Sequence, residues 1–297
     1  MANLTPVWFI TAASSGFGHE LAVEALKRGH TVIATARNVS KIQDLADAGA
    51  HTLTFDVLTP YSTIETLAKD LFARYGRINY LVNAAGHLLL GAIEEVSLEE
   101  IYNCFNVNLF GAINTIRAFL PHMRAQPIAS ATGIRATIVT FGSLGGWKAY
   151  PSAGIYCMTK ACATLLAESL NDEIGTFAMR ATVVEAGHFR TAFLNPETRI
   201  KAKEQLDIYD DENTPSGQFK QILRIVDGKQ PGDVAKGAKI LIDVLTHTGV
   251  AEGRELPGRV VLGSDCEEVI RGQCASALKG LDDWTDVVRS TDYPQGQ

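Results

Sequence analysis

The chain has 297 residues, 46% hydrophobic and 20% charged, with a net charge of −6 at pH 7, an ordinary globular composition long enough for one large domain or two small ones. The acidic balance and scattered Lys and Arg exclude the electrostatic footprint of a nucleic-acid binder, and the apolar run Val7 to Ile10 is too short for a signal peptide or a membrane span. Five cysteines (Cys104, Cys157, Cys162, Cys266, Cys274) without Cys-x-x-Cys spacing point to free thiols in a reducing, cytoplasmic compartment, with no metal site and no disulfide framework.

Val7-Trp-Phe-Ile-Thr11 predicts a strand that breaks into Ala12-Ala-Ser-Ser-Gly16-Phe-Gly18. Glu20 to Arg28 has helical spacing and stops at Gly29, a suitable C-cap. Thr31 to Ala36 predicts a second buried strand, completing a βαβ unit. A Gly-rich turn at a helix start offers backbone N–H groups and the positive end of the helix dipole to a pyrophosphate, although a plain tight turn has the same look. After the second strand, NAD-binding folds commonly carry an acid for the ribose 2′-hydroxyl. Here Arg37, followed by Asn38, offers a fork of donors suited to a 2′-phosphate, so NADP(H) is expected over NAD(H); the alternative is a solvated loop arginine.

The alternation continues. Leu53-Thr-Phe55 is a third strand ending at Asp56-Val57, Ser62 to Tyr75 an amphipathic helix, and Ile78 to Val82 a fourth strand running into Asn83-Ala84-Ala85-Gly86. Leu98 to Met123 reads as two helices or one bent one, with Pro121 near its end, and residues 125–134 as a loose loop. Ala136 to Phe141 is a fifth strand ending at Gly142-Ser143, and Arg180 to Glu185 a sixth. Strands alternating with helices imply a doubly wound parallel α/β sheet. Residues 188–230 read as a helical excursion, either covering the ligand crevice with an apolar wall or lying on the surface without touching it. A helix over Pro231 to Leu245, a strand over Arg259 to Leu262, and a mostly helical tail over 264–297 complete the chain.

Between the fifth and sixth strands, Ser152 to Ala167 predicts a helix carrying Tyr156 and Lys160. Residues four apart share a helix face, so phenol and ammonium point into one space. The cation would lower the phenol pKa and make Tyr156 a proton donor or acceptor near neutral pH.

In this order the pieces resemble the classical short-chain dehydrogenase/reductase family over about residues 5–263, which implies a single Rossmann-type domain (1–263) ahead of the helical tail. The Thr-Gly-x-x-x-Gly-x-Gly turn of that family is matched by Thr11, Ala12, Ala13, Ser14, Ser15, Gly16, Phe17 and Gly18. Its adenine-side Asp is matched by Asp56-Val57, and its Asn-Ala-Gly turn by Asn83, Ala84, Ala85 and Gly86. Asn108, Ser143, Tyr156 and Lys160 match its catalytic set. The resemblance implies hydride transfer between a nicotinamide and a ketone or secondary alcohol. Tyr156 then exchanges the proton, Ser143 polarises the same oxygen, Lys160 lowers the Tyr pKa and binds the ribose, and Asn108 anchors a water to Lys160. The loop at Gly187, Phe189 and Thr191 is where relatives hold the carboxamide. His87, Leu88, Trp147, Tyr150, His188 and Phe193 are candidates for substrate contact; for Leu88 and Trp147 core packing is the alternative, and His188 is first a loop histidine. Relatives pair through helices at about 98–123 and 151–175, so a homodimer or homotetramer is expected.

Two departures bear on this. Ala12 replaces the first turn glycine, where a methyl crowds the turn, and Ala186 replaces a proline, which frees the following loop. They favour the other class of function, a non-redox member of the fold acting as a cofactor-bound regulator or scaffold, or as a cyclase or isomerase. Gly142 stands where many relatives have a second Ser.

Overall fold

The structure, a computed structural model, describes residues 5–128, 132–195 and 198–293. In chain order it runs β1 (Val7–Ile10), α1 (Gly16–Lys27), β2 (Thr31–Ala36), α2 (Gln43–Asp47), β3 (His51–Thr54), α3 (Tyr61–Tyr75), β4 (Tyr80–Asn83) and β5 (Leu89–Leu90). It continues with α4 (Leu98–Phe105), α5 (Gly111–Ala125), β6 (Ala136–Phe141), α6 (Gly154–Ile174), β7 (Met179–Ala186), β8 (Ile200–Lys201) and α7 (Asp207–Asp210). Last come α8 (Pro215–Val226), α9 (Val234–Thr246), β9 (Arg259–Leu262), α10 (Ser264–Asp283) and α11 (Thr285–Arg289).

Among the described residues, seven strands form one parallel sheet in the order β3-β2-β1-β4-β6-β7-β9. The order reverses between β2 and β4, on either side of β1, and such a switch point opens a crevice beyond the carboxyl ends of the strands. β1 is buried at all its positions because helices cover both faces. Val7 and Phe9 face the layer that holds Ile64, Phe119 and Leu170, whereas Trp8 and Ile10 face Leu21, Ile42 and Leu241. This alternation is the two-residue period of a strand, and each such large side chain contributes about 1.5–3 kcal/mol when fully buried.

Several predicted boundaries move. β3 begins at His51, because His51 and Thr52 already pair with Ile33 and Ala34 of β2. The stretch predicted as one or two helices is helical from Leu98 to Ala125 but passes through a π-turn at Asn106–Phe110, and Pro121 lies inside α5. A Ser97/Glu100 capping box starts α4. α9 starts at Val234, where the Asp233 side chain accepts the Lys236 N–H. The predicted loop 125–134 lies partly outside the described residues, as do residues 196–197 of the excursion and 294–297 of the tail.

The excursion is less purely helical than its sequence suggested. It carries a short parallel ribbon, in which Ile200 N donates to Leu88 O at 2.9 Å and Ala202 N to Leu90 O at 2.9 Å, pairing β8 with β5. α8 then packs Phe219 and Leu223 inward with Leu88, Leu90 and Leu194. Carboxylates hold it down. Glu95, fully buried, accepts Ala92 N and Leu206 N and pairs with Lys220 of α8 at 3.2 Å, which also reaches Asp210 at 2.6 Å.

Candidate active site

The carboxyl ends of β1, β4, β6 and β7 surround a cavity of about 290 Å³. Ser143, Tyr156 and Lys160 line it together with Tyr150, Phe193 and Leu88. Ser143 follows β6 in extended backbone, and its Oγ accepts the Gly145 N–H at 3.1 Å. Tyr156 sits in the first turn of α6, where Phe193 tilts against its ring with centroids 5.6 Å apart. Lys160, one turn on, is buried and donates from Nζ to the Phe141 carbonyl at 2.8 Å. Tyr156 and Lys160 thus share a helix face, as their spacing predicts, with Nζ 5.7 Å from the ring centroid.

Their ionisation differs from the sequence expectation. Burial pushes the Tyr156 phenol up, opposed by its hydrogen bond with the Ser143 side chain. Burial pulls Lys160 down to about 8, with Cys104 and Glu185 acting against it. The i, i+4 spacing says nothing of the desolvation that outweighs the pairing of phenol and cation.

Asn108 lies in the π-turn, a distortion common at functional sites. Its Oδ1 accepts His87 N at 2.9 Å, and its Nδ2 donates to His87 O at 3.0 Å and to Thr159 Oγ1 at 3.1 Å. The amide thus clamps the backbone beside the cavity, and a Cβ on Gly86 would stand 3.4 Å from Asn108 Oδ1 and 3.5 Å from Lys160 Nζ. Burial pulls the His87 ring below its ordinary pKa, assisted by Arg37 and Lys160.

Glu185 was not among the sequence candidates. It stands one residue before the end of β7, fully buried, with Oε2 accepting Ser143 N at 3.1 Å and Oε1 accepting Thr164 Oγ1 at 2.7 Å. A Cβ on Gly142 would come within 2.5 Å of Oε2, so the missing side chain at 142 makes room for this carboxylate. Burial raises its pKa, with Thr164, Ser143 N and Lys160 opposing. The available signal was an acid closing the apolar run Ala181-Thr-Val-Val-Glu185.

The turn after β1 keeps its tight shape. Ala12 takes the left-handed backbone a glycine would take, with φ 53°, and Gly16 has φ 57°. A Cβ on Gly18 would meet Ala12 O at 2.7 Å, so α1 starts directly against the turn. The Ser15 side chain caps nothing, the first turn of α1 holds no acid, and Ser14 and Ser15 are exposed. This uncapped positive helix end, cradled by glycines, fits the phosphates of a dinucleotide.

Several residues expected at the cofactor site make hydrogen bonds within the fold. Thr11 Oγ1 donates to Val82 O at 3.3 Å and accepts Ala84 N at 2.9 Å, Ala13 N donates to Thr35 O at 2.8 Å, and Asn83 Nδ2 donates to Val139 O at 3.3 Å. These residues pin the two turns to each other, while Asn83 Oδ1 is buried without a partner. Asp56 Oδ1 accepts Leu58 N at 2.9 Å, and Val57 packs under Gly111. Arg37 and Asn38 are exposed after β2, and Asn38 Oδ1 accepts Ser40 N. Ala85 packs partly buried against the core layer of α3 and α5, while Ala84 and Gly86 border the cavity.

Gly187, Phe189 and Thr191 also line the cavity, beside Gly16 and Phe17. Phe189 meets Phe17 edge-on at 4.9 Å, and a Cβ on Gly16 would be 3.6 Å from Thr191. His188 is a loop residue: its N–H and its Nδ1 both meet Asp265 Oδ2 at 2.8 Å, so the first turn of α10 anchors this loop. Tyr150 stacks on Phe219 at 5.4 Å. Trp147 is half-buried, belongs to no core cluster and lies outside the cavity lining, with the Arg259 guanidinium 4.6 Å over its ring.

Among the described residues no cluster of metal-ligating side chains is found, no helix is long and apolar enough to cross a membrane, and the five thiols are free.

Comparison with known proteins agrees with this geometry. The family model described as short chain dehydrogenase matches residues 6–201. A short-chain dehydrogenase from Streptomyces avermitilis superposes with a TM-score of 0.82 at 33% identity, covering 98% of this chain and 100% of that one. Oxidoreductase BOA17 of Botryotinia fuckeliana is 27% identical over 288 residues, 96% of this chain and 98% of that protein. The 3-ketodihydrosphingosine reductase of Bacteroides thetaiotaomicron is 29% identical over 225 residues, 74% of this chain and 76% of its own. With a seven-stranded Rossmann-type sheet, a glycine-cradled helix end and a Ser–Tyr–Lys group at the strand ends, the chain belongs to the short-chain dehydrogenase family, oxidoreductases that act on CH–OH and C=O groups.

Proposed function

We propose that the protein is an NADPH-preferring reductase of ketones, working on a mainly hydrophobic small molecule with Tyr156 as the general acid. The observation that carries this reading is the convergence of Ser143, Tyr156 and Lys160 on a cavity walled by Leu88, Phe193 and Phe219. A reduced nicotinamide supplies the hydride. Ser143 and Tyr156 take the carbonyl oxygen between their hydroxyls. A phenol kept protonated by burial has the proton that the developing alkoxide takes in the reducing direction. Lys160, with ammonium hydrogens beyond the one given to Phe141 O, binds the ribose hydroxyls and replenishes the phenol proton, and Asn108 fixes the His87 backbone beside this path.

The first turn of α1 with Ser14 and Ser15 receives the pyrophosphate, and the exposed Arg37 receives a 2′-phosphate. Arg37 lies close enough to the cavity to depress His87, which supports its facing that side. The relative that reduces 3-ketodihydrosphingosine supports a ketone with an apolar body. Free thiols fit a reducing, cytoplasmic setting. Exposed Leu98, Tyr102 and Phe110 on the α4–α5 run, with Met158 and Leu165 on α6, support a homodimer or homotetramer through these helices.

Fluorescence titration with NADPH and NADH tests the reading. Tighter NADPH binding is expected, with Arg37→Ala weakening NADPH about 10-fold or more and leaving NADH unchanged. Tyr156→Phe should lower kcat ~10²–10⁴-fold while NADPH still binds. If neither nucleotide binds, the redox reading is discarded for a non-redox role of the fold.

A further inference from the structure

Ser143 and Tyr156 act on one oxygen, yet they belong to different elements. Ser143 follows β6, whereas Tyr156 and Lys160 ride on α6. Their relative position is set by what joins the end of β6 to α6. Lys160 Nζ donates to the Phe141 carbonyl at 2.8 Å, but that ammonium also serves the reaction. Past Ser143 the loop rests on α6 at Gly146, where a Cβ would stand 3.2 Å from the Lys160 carbonyl carbon.

The third joint is the Glu185 carboxylate of β7. Oε2 accepts Ser143 N–H at 3.1 Å, and Oε1 accepts the hydroxyl of Thr164, one turn beyond Lys160, at 2.7 Å. Thr164 Oγ1 also lies 3.2 Å from the Lys160 carbonyl oxygen. One side chain thus links the catalytic serine to the helix of the tyrosine and lysine. Glu185 is fully buried and outside the cavity lining, so it acts through its neighbours. A carboxylate taken this far out of water is costly unless its oxygens are engaged, and here both are. Residue 142 leaves the room: a Cβ there would come within 2.5 Å of Oε2 and 3.0 Å of Cδ.

We infer that Gly142 and Glu185 form a coupled pair whose carboxylate holds Ser143 in register with Tyr156, which makes Glu185 a positioning residue for the proton-transfer step. This rests on the ketone-reductase reading.

Glu185→Ala removes both contacts. Its kcat for ketone reduction should fall about 10- to 100-fold, the scale set by misplacing a reacting group by about 1 Å, while NADPH binds as in wild type. Glu185→Gln keeps the shape: its carbonyl accepts Ser143 N–H, and its amide donates to Thr164 Oγ1, whose own hydrogen turns to Lys160 O. It should therefore recover most of the kcat lost in Glu185→Ala at neutral pH. Gly142→Ala removes no contact of its own, yet by displacing the carboxylate it should lower kcat by a factor similar to Glu185→Ala. In the double variant Gly142→Ala/Glu185→Ala the methyl takes the space the carboxylate left, so the two losses should not multiply. A thermal melt and an NADPH titration accompany each variant.

A stably folded Glu185→Ala with wild-type kcat overturns the inference. So does a Glu185→Gln no more active than Glu185→Ala, or losses that multiply in the double variant. NADPH binding weakened as much as kcat also overturns it, because the carboxylate then acts on the cofactor site and not on Ser143. If Glu185→Ala does not fold, Thr164→Val cuts only the α6 end of the link, and the same split between kcat and NADPH binding decides. If wild type reduces no ketone, the reductase reading falls separately. The crystal structure of Glu185→Ala then decides the link: a Ser143 hydroxyl that stays within about 0.5 Å of its wild-type place overturns it, and a larger displacement upholds it.

Discussion

Replacing Ala12 by glycine isolates the energetic consequence of the turn after β1. Ala12 holds φ 53° because its carbonyl must lie against Gly18, where a Cβ would be only 2.7 Å away. Left-handed backbone costs an L-residue about 1–2 kcal/mol, which glycine avoids. Against this, glycine adds about 0.4–1 kcal/mol of unfolded-state entropy to be lost on folding. The difference is a net stabilisation of about 0.8 kcal/mol. With an unfolding entropy of ~2.1 cal/mol/K per residue, the chain has ~0.6 kcal/mol/K, so Tm should rise by about 1.3 °C. Differential scanning calorimetry with Ala178→Gly in parallel gives an internal control, since Ala178 has φ 58° and lies far from the cavity, between α6 and β7. NADPH affinity should be unchanged or tighter in Ala12→Gly, because the turn keeps its shape. A fall in Tm of a degree or more, with Ala178→Gly behaving normally, would refute the claim that Ala12 is strained.

Glu185→Gln should separate stability from activity. The folded-state pKa of Glu185 is raised, so the charged form is disfavoured by folding, a cost absent below the unfolded value of about 4.5 and growing as pH rises through it toward the folded value. The variant should therefore gain stability relative to wild type between pH 4 and pH 7 in urea denaturation, and an offset independent of pH would contradict this. Its activity should fall, and since Glu185 supports the Lys160 ammonium, the basic limb of the kcat profile should move to lower pH. Lys220→Met strands the buried Glu95 carboxylate and should destabilise by about 3 kcal/mol. It should also raise KM for ketones while NADPH binding holds, and a change under ~0.5 kcal/mol would place the ion pair in the screened surface class.

The sequence was most informative where function demands fixed spacings. Tyr156 and Lys160 share a face because a helix forces it, and Thr11 to Gly18 announces its turn through its glycines. It was least informative where a property belongs to the surroundings. The direction of the Tyr156 shift depends on how deeply α6 is buried, which no pair spacing encodes. Glu185 meets Ser143 only because β6 and β7 are neighbours and residue 142 lacks a side chain. The π-turn at Asn108 has no periodic signature, and the two-residue strands β5 and β8 are too short to be read from alternation. Thr11 and Ala13 were legible as part of a motif, but their inward use as struts appears only once β2 and β4 are seen on either side.

The closed base of the excursion has an evolutionary and practical meaning. His188 and Arg190 meet Gly232 through two backbone hydrogen bonds, with the Arg190 guanidinium bracing Gln230, so the chain leaves the sheet and returns to it through one sealed neck. The part beyond the neck supplies Phe193, Phe219 and Leu223 to the cavity wall and rests on the body again at the β5–β8 pairing and the Glu95–Lys220 ion pair, so changes in its outward-facing residues can spare β7 and α9. Diversification of substrate range in such a protein need not disturb its chemistry. Grafting experiments that cut and join at His188 and Gly232 would exploit a seam the fold already contains.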